Sequence, residues 1–379
     1  LEDKLFTILP KLTFDKAEED KIYWEDIFLE MNHHCAKQEL WKEVKKIPFI
    51  QSTGELSNDK SIIFVYSIIG HPLYAYSTYL SIIALLKLTD LKKYRIRVYT
   101  VDYLGELCQK LFSGIKNIEV VKLMAPRPEK VGAGYVKIKY LQDPELQEYQ
   151  VICGLDADLY GVGPSGGEFS KLLEIPKKGM GMTYQPTITG PGHSAELEMS
   201  IRMGYRHRYM DHSTKEWHTT AYKGLNFYPE QSLPEMLKVM ETDLGIDYTK
   251  VYYSMQNQRQ WWNSSVFALR SNIMDNHFMK VLNFWMDGPV TCDESLFMIY
   301  AYHKNLTLFP INDYLNKMEH RLEHDTIYDN SRTVPLHKLD YPTTTISHCY
   351  SDAERGTQAA LRFQEYIDWV GNLYSRNDD

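Results

Sequence analysis

The 379-residue chain has no apolar run of membrane-spanning length, no charged-then-apolar leader, no internal repeat and no low-complexity tract. No integral membrane segment is therefore expected, and the 44% hydrophobic and 24% charged content is ordinary for a globular chain. Basic excess is also missing. A formal charge of -8 and a pI near 5.9 exclude a general nucleic-acid binder, which needs concentrated Lys and Arg against phosphate. An acidic protein can still hold an anionic ligand through a metal. The five cysteines, Cys35, Cys108, Cys153, Cys292 and Cys349, form no CxxC pair of the kind zinc ribbons and redox sites use. A reducing, cytoplasmic setting is the simpler expectation. Because the sequence starts at Leu1, removal of an upstream anchor or signal stays open, and with it a Golgi or ER lumenal catalytic fragment. Tyrosine is plentiful, at 28, beside 7 Trp, giving flat amphipathic faces that suit sugars and bases as well as cores.

Residues 14–47 mix apolar residues at helical spacing with dense charge, which predicts one or two amphipathic helices. The polar, turn-rich "QSTGELSNDK" (51–60) places a boundary between a helical N-terminal extension, 1–58, and a main domain, 59–379. From "SIIFVYSII" the pattern runs strand, helix ("YSTYLSIIALLKLTDL"), strand ("YRIRVYTVD"), helix ("LGELCQKLF") and strand ("IEVVKL"). This β-α-β-α-β order predicts an α/β, Rossmann-like fold. A mixed, mostly parallel central sheet is flanked by helices, and ligands sit at the carboxyl ends of its strands. A helix and turn, "GYVKIKYLQDPELQEYQ", lead to a further strand, "VICGLDADLY". "GMGMTYQP" and "WWNSSVFALR" read as strands, "NIMDNHFMKVLNFWMDG" and "DESLFMIYAYHKN" as helices, and "LTLFPINDYLN" as strand-to-loop. Residues 320–345 read as loop, "TTTISHCY" as a short strand, and "AERGTQAALRFQEYIDWVGNLY" as a closing amphipathic helix. The Gly/Pro/His/Tyr-rich stretch 186–230 is expected to form a lid or wall of the acceptor site.

"ICGLDADLY" sets Asp156 and Asp158 two positions apart, where a central strand reaches the ligand-binding edge. Hard divalent cations want oxygen ligands, and Mg²⁺ or Mn²⁺ is often held by one or two carboxylates with substrate phosphates completing the shell. Such a pair would neutralise a diphosphate and help it leave. The plain alternative, turn and helix-cap aspartates, has about even weight on spacing alone.

The arrangement resembles the GT-A class of nucleotide-sugar-dependent glycosyltransferases. More narrowly, the order of motifs looks like glycosyltransferase family 8, the family of glycogenin and the bacterial lipooligosaccharide galactosyltransferases. "GYVKIKYLQDPELQEYQVICGLDADLY" follows the family's order of tyrosine, basic residue and D-A-D strand, with Lys139 the better match and Lys137 close by. Asn263, Ser264, Ser265, Val266 and Phe267 resemble its "N-[SA]-G-V-[FM]", with serine in place of glycine. "DESLFMIYA" from Asp293 and Glu294 resembles its "DQ" helix, and "LFPINDYLN", ending at Asn316, its "L-P-x-x-[YW]-N". "TISHCYSDAERG" resembles the C-terminal histidine motif, although Ser351 and Glu354 stand where its glycine and lysine belong and Arg355 is one position late. The resemblance spans roughly residues 61–356 and lies in the order of five weak motifs.

The resemblance implies a metal-dependent glycosyltransferase (hexosyltransferase) using Mn²⁺ or Mg²⁺. It would move a sugar from a nucleotide-diphosphate donor, a UDP-sugar in that family, to a glycan, lipid-linked or protein hydroxyl, with retention favoured. Asp156, Asp158 and His348 would bind the metal. Lys139 and Arg355 would face the diphosphate, and Asp293 and Glu294 the acceptor side, as general base or charge stabiliser. Ser67, Tyr74 and Tyr76 follow the first strand where a base would sit, the two tyrosines as stacking candidates. Gln185 and Asn263 are candidates for sugar or acceptor hydroxyls. Blander roles stand beside these: Lys139 as a solvated helix lysine, Asp293 as a helix cap. His207, His212, His218, His33 and His34 lack the spacing that puts two ligands on one helix face and are read as non-catalytic. "GPSGGEF" lacks the Lys-Ser/Thr ending of a phosphate loop. The rival readings are a nucleotidyltransferase, which usually opens with a glycine-rich basic loop unlike "SIIGHPLYAY", and a sugar-nucleotide-binding or scaffold protein without turnover.

Overall fold

The apolar run "SIIFVYSII" forms β1 (Ile62–Ile68), every residue of it buried, because helices cover both faces of the sheet in which it lies. Ile62, Phe64, Tyr66 and Ile68 enter one core, Ile63 and Val65 the other, as the two-residue period of a strand requires. The computed structural model describes residues 39–49, 59–69, 72–123, 133–157, 159–163, 168–186, 207–211, 216–220, 233–256, 260–287, 293–311, 316–318, 343–345 and 355–375.

Among the described residues the elements follow the expected α/β order. α1 (Leu40–Val44) precedes β1, which is followed by α2 (Leu73–Leu88), β2 (Arg95–Val101), α3 (Asp102–Phe112), β3 (Ile118–Leu123), α4 (Ala133–Leu141) and β4 (Val151–Asp156). Beyond these come β5 (Leu159–Gly161), β6 (Gly179–Pro186), a hairpin of β7 (His207–Asp211) with β8 (Glu216–Thr220), α5 (Leu233–Leu244), α6 (Tyr248–Gln256) and β9 (Gln260–Arg270). α7 (Asn276–Asp287), α8 (Asp293–Lys304), β10 (Thr307–Pro310), β11 (Asn316–Met318), β12 (Thr343–Thr345) and α9 (Arg355–Ser375) complete it. The main sheet has the strand order β10-β6-β9-β4-β1-β2-β3, in which only β9 runs against the rest. A second, three-stranded sheet has the order β11-β12-β5.

One core lies under α2, α3 and α9, the other under α4, α5, α6, α7 and α8. α2 is apolar nearly all round, as a helix sunk between sheet and neighbours must be. Leu40, Trp41, Val44 and Ile47 are buried in the first core, so this part of the N-terminal stretch packs with the main body; residues 1–38 and 50–58 lie outside the described residues. Gly154 is required by its cross-strand partner. A Cβ there would lie 2.2 Å from the Phe267 ring, which crosses β4 from β9.

Three features add detail to the sequence expectation. Within the stretch 187–230 the described residues form the antiparallel β7–β8 hairpin, His207 opposite Thr220 and Asp211 opposite Glu216. Residues 343–345, the start of the expected short strand "TTTISHCY", are β12, held by β11 on one side and β5 on the other. α5 and α6 go beyond the sequence reading, which assigned nothing to 231–256. Among the described residues no helix is long and apolar enough to cross a membrane.

Candidate functional site

The register between β1 and β4 decides what meets at the carboxyl edge of the sheet. Ser67, at the end of β1, lies directly beside Asp156, at the end of β4. Ser67 is 5% exposed, and the Asp156 side chain keeps 26% of its surface, facing the edge rather than the core. Into this corner α4 sends Lys137, only 4% exposed. Its ammonium is 3.0 Å from Asp156 Oδ1 and 3.3 Å from Oδ2, and donates to the Ser264 carbonyl at 3.1 Å and the Ser264 hydroxyl at 3.2 Å.

The Ser264 carbonyl is available because β9 is irregular here. Met182 of β6 pairs with Phe267, but the next residue, Thr183, pairs with Asn263, so Ser264, Ser265 and Val266 bulge out of that ladder. A bulge turns backbone groups away from their regular partners and is common beside functional sites. Lys137 caps one freed carbonyl, and the Thr183 hydroxyl approaches another, on Val266, at 3.4 Å. A buried ammonium demands such partners, since burying it unpaired would cost several kcal/mol.

The geometry separates the two lysines of α4. Lys139 is half-buried on the other side of α4, its ammonium 3.5 Å from Gln142 Oε1, while Lys137 is the residue aimed at the aspartate. Two residues along a helix turn the side chain through about 200°. The sequence signal was present: Lys137 shares its stripe with Tyr140 and Leu141, three and four positions on and both buried. Tyr76 is corrected. It is fully buried, 6.3 Å from the Trp41 ring, and so unable to stack on a base at the sheet edge. Tyr74, nearer the start of α2, is half-buried against the same core.

Other expected residues are placed by backbone alone. Asn263 pairs with Thr183 and Gln185 with Trp261, both in the ladder that continues past the bulge. Asp293 and Glu294 are the first two residues of α8, and Arg355 is the first of α9. Asp158 and His348 lie outside the described residues, as do His33, His34 and His212. The second sheet nevertheless relates the chain around them. Thr345, three residues before His348, pairs antiparallel with Leu159, the residue after Asp158.

Asp156 is suited to a hard cation. Its carboxylate is partly exposed at the sheet edge, and a carboxylate has about four lone-pair sites, more than the one ammonium of Lys137 can fill although it reaches both oxygens. Among the described residues no group of three His, Cys, Asp or Glu gathers around one point. Cys108 and Cys153 are buried free thiols in the core rather than at this edge.

No protein family and no curated protein matches the sequence. Solved structures resemble the chain in outline. The galactosyltransferase LgtC, in complex with donor and acceptor sugar analogues, is 11% identical with a TM-score of 0.40, over 84% of this chain and 98% of that one. The S. cerevisiae mannosyltransferase Ktr4p is 9% identical with a TM-score of 0.37, over 81% of each chain. The WbbM bifunctional glycosyltransferase is 11% identical with a TM-score of 0.38, over 71% of this chain and 41% of that one. At such scores a likeness says nothing of chemistry, and the residues at the sheet edge must speak for it.

Proposed function

We propose that this chain is a metal-dependent glycosyltransferase of the GT-A type, moving a sugar from a nucleotide-diphosphate donor to a hydroxyl. The observation that carries the reading is Asp156. A carboxylate stands at the carboxyl end of a central parallel strand, beside Ser67 of the neighbouring strand, and is held by an ammonium that has almost no contact with water. Open α/β sheets bind ligands at that edge.

In this reading Asp156 and Asp158 hold Mn²⁺ or Mg²⁺ with His348 as third protein ligand. When bound, the cation supplies Lewis-acid neutralisation of the diphosphate as it leaves. The chain's own work is orientation. Lys137 fixes the Asp156 carboxylate against the β9 bulge, its ammonium reaching both carboxylate oxygens and the Ser264 carbonyl and hydroxyl. Ser67 offers a hydroxyl at the adjacent strand tip. Arg355, at the start of α9, adds positive charge for the diphosphate, and Asp293 or Glu294, at the start of α8, a carboxylate for the acceptor. UDP is the preferred nucleotide and retention the preferred outcome, both on resemblance in motif order. The acceptor is a glycan, lipid-linked or protein hydroxyl.

The test is a thermal-shift titration with UDP, with and without Mn²⁺. Stabilisation by UDP that requires Mn²⁺, and that disappears in Asp158→Asn without loss of the apo melting temperature, is the expected result. Slow hydrolysis of a UDP-sugar over days separates an enzyme from a binding protein. UDP binding indifferent to Mn²⁺, or surviving Asp158→Asn, overturns the metal assignment.

A further inference from the structure

Asp156 ends β4, and within three residues the chain has left the main sheet for the small one, entering β5 at Leu159. Two buried hydroxyls, from helices nearly 290 residues apart, reach the backbone of this crossing. Thr78 of α2, fully buried, has its Oγ1 3.4 Å from the Ala157 carbonyl. Tyr366 of α9, also fully buried, donates to the Gly161 carbonyl at 2.9 Å, and its ring lies flat on that of Tyr160, centroids 4.0 Å apart with a 4° tilt. Burial holds the Tyr366 phenol well above its ordinary pKa, so it remains a donor at any working pH. β5 has no room to drift toward α2. A Cβ on Gly161 would lie 2.5 Å from the Ser81 carbonyl and 2.6 Å from Leu85 Cγ.

We infer that Thr78 and Tyr366 are positioning residues for the carboxylate turn, and that the C-terminal helix α9 is thereby part of the binding apparatus. The bracketed segment is short: Ala157 and Gly161 flank Asp158, Leu159 and Tyr160. Fixing both of its ends constrains the backbone that leaves Asp156 and carries Asp158, and metal ligands must be held to within about 0.5 Å to bind well. Tyr366 supplies this in two ways, a flat aromatic contact that resists sliding and a directional hydrogen bond that sets the height of the strand. The inference rests on the proposed metal site at Asp156 and Asp158.

The experiment compares two tyrosines of one helix. Tyr374, two turns beyond Tyr366, donates to the Ile83 carbonyl of α2 at 2.7 Å and makes no such bond to β5. Mn²⁺ alone is titrated into the full chain, and binding is read from the electron paramagnetic resonance of the free ion. Tyr366→Phe, which keeps the ring stack, is expected to weaken Mn²⁺ about tenfold, the scale seen when a residue supporting a metal ligand is lost. Tyr374→Phe is expected to leave the affinity unchanged, although each variant loses one tyrosine hydrogen bond and some thermal stability. Should Tyr366→Phe fail to fold, Thr78→Val, of the same shape without the donor, carries the test and weakens Mn²⁺ in the same direction. Unchanged affinity in the folded Tyr366→Phe variant, or equal weakening in both tyrosine variants, overturns the inference and leaves the metal site standing. Failure of the wild-type chain to bind Mn²⁺ overturns the metal site and this inference together.

Discussion

Two buried cations lie along α4, one on the helix and one at the turn that follows it, and the two are treated in opposite ways. At its C-terminal end, the turn after the helix brings Asp143 and Glu145 to Arg97 of β2, which also binds Glu119 of β3. The Arg97 Nε donates to Glu119 at 2.9 Å, one terminal nitrogen to Asp143 at 3.0 Å, and the other to Glu145. Tyr99 donates to the same Asp143 oxygen at 2.7 Å. Burial opposes the Arg97 charge, but its hydrogen bonds to Glu145 and Tyr99 and the nearby Glu119 more than offset this, so the guanidinium is held above its ordinary pKa. Three carboxylates surround one cation, and Glu119 and Glu145 are 56% and 64% exposed. Along the helix itself, Lys137 meets, among the described residues, the Asp156 carboxylate and the carbonyl and hydroxyl of Ser264. The first network ties strands and turn together with charge to spare at the surface. The second spends a nearly dry ammonium on aiming one carboxylate at an open edge.

That contrast can be broken by mutation. Arg97→Met leaves three carboxylates crowded together, and we expect a loss of about 3 kcal/mol in urea unfolding, with Mn²⁺ affinity unchanged. The figure sits at the low end for a broken buried pair because Glu119 and Glu145 can turn to water. Lys137→Met should cost less, about 2 kcal/mol, because Asp156 already reaches the edge, but it should also alter Mn²⁺ binding. If Arg97→Met changed metal affinity and Lys137→Met did not, the assignment of roles would be reversed.

A third polar joint sharpens the comparison through pH rather than sequence. His303 of α8 accepts a hydrogen bond on Nδ1 from the Asp247 backbone N–H at 3.0 Å, just before α6. Lys250 donates to its carbonyl, and the His277 ring of α7 lies 5.1 Å away. Burial lowers the His303 pKa, and His277, Lys304 and Lys250 lower it further, against a smaller opposing pull from Asp247. The folded state therefore takes up this proton less readily than the unfolded state. Stability is expected to fall as pH drops below the ordinary histidine value of about 6.5, through the window down to the depressed folded value. His303→Gln, a neutral acceptor that does not titrate, should flatten that part of the stability-against-pH curve. The smallest effect is expected of Lys139→Met, about 0.5 kcal/mol, since Met keeps the apolar stem of this half-buried lysine, whose ammonium is 3.5 Å from Gln142 Oε1 just past the same helix. A loss matching that of Lys137→Met would mean that α4 is rotated from the orientation described.

Much of the scaffold was legible because it depends on local pattern. Apolar runs gave β1 and β4, the alternating "YRIRVYTVD" gave β2, and period-3.6 stretches gave α2, α3, α7 and α8. "GMGMTYQP" coincides with β6 from Gly179 to Pro186. The edge position of Asp156 followed from strand order alone. What stayed hidden depends on partners distant in the chain. The choice between Lys137 and Lys139 turns on which stripe of α4 faces the sheet, and Tyr76 looked like a surface aromatic until Trp41 was seen to cover it. The β9 bulge is invisible in "WWNSSVFALR", whose apolar and polar residues suit an unbroken strand equally well.

By itself the chain determined an alternation of strands and helices, because burying apolar residues with saturated backbone hydrogen bonds admits few other arrangements. It also set the acidic pair just past a buried strand. Only the tertiary structure decided that Ser67 stands beside Asp156, that an ammonium from α4 and a misaligned β9 share the aspartate's corner, and that Tyr366 braces the strand beyond it. The physical reason is range. Periodicity is written into neighbouring residues, whereas the position of a charged group is fixed by contacts that exist only once distant segments have packed.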